Sequence, residues 1–86
     1  MIVEHFKGNA AAVYRRFRDE GRLAPEGLRY LSSWVSTDLE RCYQVMDCED
    51  AGLLQQWMDR WSDLVVFEVI PVMSSSEAAA AIATRL

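Results

Sequence analysis

Glycine and proline are scarce in this chain, four and two residues among 86, which excludes collagen-like and low-complexity classes. Cysteine is scarcer still. Six residues of extended chain would hold Cys42 and Cys48 roughly 20 Å apart, beyond disulfide reach, so both are expected as reduced thiols. With the single His5 they make no metal-ligand spacing, and no metal or cofactor is expected. No apolar run approaches the ~18 residues of a membrane span. The segment MIVEHFKGN carries an acid and a histidine within its short apolar run and has no small-residue cleavage site, so it does not read as a signal peptide. A cytoplasmic location is the default expectation. Positive charge is also short: nine Lys and Arg face thirteen Asp and Glu, a net charge of -4. Nucleic acid, whose binding draws on basic side chains, is not expected as a partner. The sequence has no glycine-rich phosphate loop, nucleophile elbow or paired CxxC.

What is present is a globular composition, 51% hydrophobic and 26% charged, in a chain long enough for one domain spanning residues 1–86. Folding a chain of this mass buries only about 64% of its unfolded surface, which leaves a lone monomer marginal. Met1 to Phe6 reads as a strand. Asn9 then caps a helix in which Ala10, Val13, Tyr14 and Phe17 form an apolar stripe that stops at Gly21. Leu28 to Val35 and Arg41 to Cys48 alternate as a hairpin. Asp50 caps a second helix, with Leu53, Leu54, Trp57, Trp61 and Leu64 on one stripe. Leu64 to Val72 is a fourth strand whose Pro71 suggests an edge. Ser74 and Glu77 form a capping box ahead of a third helix over Ala78 to Ala83.

The order βαββαβα is that of a ferredoxin-like α+β fold, a four-stranded antiparallel sheet with helices on one face and an extra C-terminal helix. Strand four is apolar on both sides: Val65, Phe67 and Val69 alternate with Val66, Ile70 and Val72. The uncovered face therefore calls for a second subunit, most simply as a homodimer about a two-fold axis.

The run VYRRFRDEGRLAPEGLRYLSSWV, followed by RCYQVMDCED and LLQQWMDRWSDLVVFEVIPV, resembles a bacterial family of small uncharacterised proteins in the dimeric α+β barrel superfamily. The resemblance covers Ile2 to about Val72 and implies two sheets facing each other across a dimer. It implies no established activity and carries over no catalytic residue.

Chemistry is most informative where ionisable residues interrupt apolar strands, because a charge taken from water must find a partner or change its proton affinity. Glu4, His5 and Glu68 qualify. Glu4 and His5 point to opposite faces, and Glu68 on a neighbouring strand is expected to meet one of them, depending on register. His5 with Glu68 would make a general base and its orienting partner; a satisfied core pair is the plainer alternative. Alternation puts Tyr30, Ser32 and Trp34 on one side of strand two, where a small hydroxyl residue between two rings leaves room for a flat apolar ligand; the plainer alternative is that Ser32 sits at a bulge or faces a partner's bulky side chain. Trp57 and Trp61 would wall the same pocket or simply fill the core. Arg15 with Asp19 and Arg16 with Glu20 read as i, i+4 pairs on a solvated face, whereas Arg22 escapes pairing at the start of the loop before Pro25. The reading is a dimeric barrel that binds a small, largely apolar or aromatic molecule between sheet and helices, with cofactor-independent chemistry open to His5 or Glu68. The alternative is a non-catalytic dimerisation or partner-binding module, its alanine-rich third helix lying across the other subunit.

Overall fold

A computed structural model describes residues 1–86. The elements are β1 (Ile2–Phe6), α1 (Ala10–Glu20), β2 (Arg29–Val35), β3 (Arg41–Asp47), α2 (Ala51–Asp59), β4 (Val65–Val69) and α3 (Ser75–Ile82), followed by a short 3₁₀ turn, Ala83–Arg85. The sheet is fully antiparallel in the order β2-β3-β1-β4, so β1 is central and β4 is an edge, as the βαββαβα reading requires. No helix is long and apolar enough to cross a membrane.

Local chemistry sets the element ends. Asn9 Oδ1 accepts from the Ala11 N–H at 2.9 Å and Asp50 Oδ1 from the Gly52 N–H at 2.8 Å, each satisfying a free donor in the first turn. Gly21, at φ 74°, ends α1 in a conformation that side chains resist, and its N–H bonds the Phe17 carbonyl at 2.8 Å. The second helix is shorter than its apolar stripe predicts. It stops at Asp59, where the Ser62 hydroxyl takes the Asp59 carbonyl at 3.2 Å, and Trp61 stands in the following turn. At the start of α3 the Ser74 hydroxyl accepts from the Glu77 N–H at 3.1 Å.

Pairing register assigns the faces. Ile2, Glu4 and Phe6 of β1, Cys42 and Gln44 of β3, and Val65 and Phe67 of β4 share the face under the helices. There Ile2, Val13, Leu28, Trp57, Trp61 and Val65 make the core, with Trp57 almost completely buried and its ring 5.3 Å from that of Phe67. Val3, His5, Tyr43, Glu68 and Val66 lie on the opposite, open face. One expectation is corrected here. A bulge between Tyr30 and Ser32 makes Leu31 an extra residue, and one extra residue reverses the side-chain parity beyond it. Tyr30 therefore pairs with Met46 on the helix face, while Ser32 and Trp34 pair with Val45 and Tyr43 on the open face.

Candidate functional site

Between the sheet and the helices lies a cavity of about 240 Å³. That exceeds the roughly 150 Å³ that admits a benzene ring in an engineered core, and falls short of the ~300 Å³ at which drug-sized sites begin. Its walls are apolar: Val13 and Phe17 from α1, Phe6 from β1, Val35 from β2, and Trp57 and Trp61 from and after α2. Glu4, Cys42 and Gln44 form its floor, and Ser33, Tyr14 and Arg22 stand around it.

The floor is a connected polar group in a dry place. Glu4 is 6% exposed and Gln44 2%, and Gln44 Nε2 donates to Glu4 Oε2 at 2.7 Å. Burial holds the Glu4 carboxyl above its ordinary pKa of 4.5, against the opposing effect of hydrogen bonds from Cys42 and Gln44 and the positive charge of Arg22. Burial, reinforced by the neighbouring Glu4, pushes the Cys42 thiol up to about 12, so this sulfur is a packed, protonated group and not a nucleophile. Tyr14 is also held above its usual value, chiefly by burial.

Arg22 is placed from several directions. Its carbonyl accepts both cavity indoles, Trp57 Nε1 at 3.0 Å and Trp61 Nε1 at 2.9 Å, so the backbone is fixed by the two largest core side chains. Its guanidinium lies over the Tyr30 ring at 3.8 Å and the Phe17 ring at 5.2 Å. One Nη1 donates to Gln44 Oε1, which continues the chain to Glu4.

The sequence candidates thus separate. Arg22, Trp57 and Trp61 come together at the cavity, with Tyr30 beneath the arginine. Ser32 and Trp34 do not line it, because the bulge puts Ser33 and Val35 there instead. His5 and Glu68 share the open face, where Val66 stands opposite His5 and Val3 opposite Glu68, and they make no ion pair with each other. Of the ionisable residues in apolar strands, Glu4 is the one the fold buries at the cavity. Gln44 was the least visible member; its only mark is a polar side chain in step with Cys42 and Met46 along β3. The arginines of α1 also differ from expectation. Arg16 makes the expected i, i+4 pair with Glu20 at 4.0 Å but also grips Asp63 through bonds of 2.8 and 2.6 Å, while Asp19 is paired by Arg18 and not by Arg15.

A family model described as a domain of unknown function (DUF3303) matches residues 1–86. No curated protein matches the chain, and no solved structure does.

Proposed function

This chain belongs to the DUF3303 family along its whole length, and from that premise we propose that the cavity between sheet and helices is a binding site for a small, largely apolar or aromatic molecule. The observation that carries the reading is the combination of an apolar chamber of about 240 Å³ with a buried polar floor, Glu4 and Gln44. The pocket is partly open to solvent, where its lining residues Tyr14 and Phe17 are exposed, so a small molecule has a way in. In this reading a proton delivered to the bound molecule would come from Glu4, whose raised affinity suits a general acid. His5 and Glu68 belong on the open face and have no part in the cavity's chemistry.

Calorimetric titration with benzyl alcohol tests the site. Saturable heat is expected in the parent and its loss in Val13→Phe, which extends a ring from α1 into the chamber. Equal heats in the two proteins, or none in the parent, would remove the proposal.

A second reading, of a partner-binding module, rests on a different observation: Leu31, Trp34, Val66, Ile70 and Val72 are all at least 42% exposed. Trp34 and Val66 occupy the open face, and the ladder carries that face on to Ile70, whose N–H bonds the Met1 carbonyl at 2.8 Å. We propose a second copy of this chain as the partner, giving the two-sheet barrel of the superfamily that the sequence resembles. The two readings are compatible, since cavity and open face lie on opposite sides of the sheet.

A further inference from the structure

The charge inventory of the cavity narrows what it can hold. Four titratable groups line it; with Tyr14 and Cys42 held protonated and neutral, the two that can carry charge are Arg22 and Glu4. Glu4 sits where desolvation favours the neutral acid and where Gln44 already holds one of its oxygens. Arg22 carries a fixed positive charge, and none of the molecule's four ion pairs includes it. A guanidinium has five N–H donors, and only one of these is committed, to Gln44 Oε1. The positioning of this side chain goes beyond what packing requires: its guanidinium lies 3.8 Å over the Tyr30 ring, its bond to Gln44 holds one edge, and both cavity tryptophans hold its carbonyl. A pre-oriented cation with free donors beside an apolar chamber is an anion site, and its planar fork matches a carboxylate.

We infer that the cavity takes a small apolar monocarboxylate, an aromatic or branched aliphatic acid whose body fills the chamber and whose carboxylate meets the Arg22 guanidinium. The inference rests on the proposed binding site and adds the head group. One positive charge balances one negative charge. A phosphomonoester would bring about two at neutral pH and leave one uncompensated among apolar walls. The volume limits the body to about a single ring with a short side chain. Arg22 is here a binding residue, and Gln44 positions it.

The test compares phenylacetate with phenylacetamide, which has the same shape and no charge, followed through the indole N–H signals of Trp57 and Trp61. The acid should bind about tenfold or more tightly than the amide, the scale of a charged hydrogen bond. Arg22→Gln should abolish that preference, and Arg22→Lys should keep part of it. Because the indoles bind the Arg22 carbonyl and not its side chain, both variants retain that backbone anchor. Equal affinities for acid and amide in the parent would overturn the carboxylate inference and leave the cavity reading standing. A preference that survives Arg22→Gln would overturn the assignment to Arg22. If neither compound binds, the proposed site itself fails.

Discussion

Glu4 is the residue at which structure and chemistry meet, because its carboxyl is under the helices with Gln44, Cys42, Arg22 and Tyr14 around it. Its folded pKa lies above the ordinary value near 4.5. The folded state therefore holds this proton more tightly than the unfolded one, so Glu4 contributes stability below about pH 4.5 that is lost as pH rises through its folded pKa. Glu4→Gln, neutral at every pH, should lack that loss, and its stability relative to the parent should increase from pH 4.5 upward. Urea unfolding of both proteins at a series of pH values measures this; parallel curves would refute it. Cys42 gives a second outcome at the same scale. Buried and pushed up to about 12, it should resist iodoacetamide at pH 8 in the native protein and react once urea unfolds it, whereas the half-buried Cys48 should react first. Mass spectrometry of peptides after brief alkylation reads the order. At this scale the sequence was partly legible. An acid inside a central strand announces a buried polar group, but which neighbour it meets depends on register, and register is a cross-strand property absent from any local pattern.

At the scale of elements, the caps and periodicities were legible because each depends on residues within one turn or one alternation. Asn9, Gly21 and Asp50 act where the sequence puts them. The bulge at Leu31 was legible only as an alternative at Ser32: no glycine or proline marks it, and the run Arg29–Val35 alternates plausibly in either parity. That one residue moved Ser32 and Trp34 off the site and brought Ser33 and Val35 onto it. The loop before β2 has a strict requirement of its own at Gly27, which has φ 93° and whose Cβ, if present, would stand 2.9 Å from Leu53 Cδ1. Gly27→Ala should cost about 1–2 kcal/mol from the backbone alone, lowering the Tm by roughly 5–15 °C for a domain of this size. Differential scanning calorimetry checks it, and an unchanged Tm would show that the loop relaxes freely.

The whole molecule is less compact than its length allows. Its radius of gyration is 14.9 Å and its surface 5971 Å², against about 12 Å for a compact chain and about 5,200 Å² for a compact monomer. The excess lies at the C-terminus: every residue from Ile70 to Leu86 is exposed, and α3 buries none of its residues. In the proposed dimer, the open face and the terminal helix would complete their burial on a second copy. Trp34→Lys combined with Val66→Lys, two exposed positions on the open face, should convert a dimer into a monomer without loss of helix or sheet signal. Sedimentation velocity decides, and a parent that is monomeric at about 100 μM, where a specific interface of some 800 Å² per partner would be populated, would refute the barrel.

The most direct test of the central claim is one titration. The three tryptophans divide cleanly, with Trp57 and Trp61 on the cavity wall and Trp34 on the opposite face of the sheet. Their indole N–H signals in a ¹H–¹⁵N spectrum thus report on the two faces separately as phenylacetate is added. The account predicts that the Trp57 and Trp61 signals shift along a saturating curve while Trp34 stays in place. Shifts at Trp34 alone, or no saturation at Trp57 and Trp61, would contradict it.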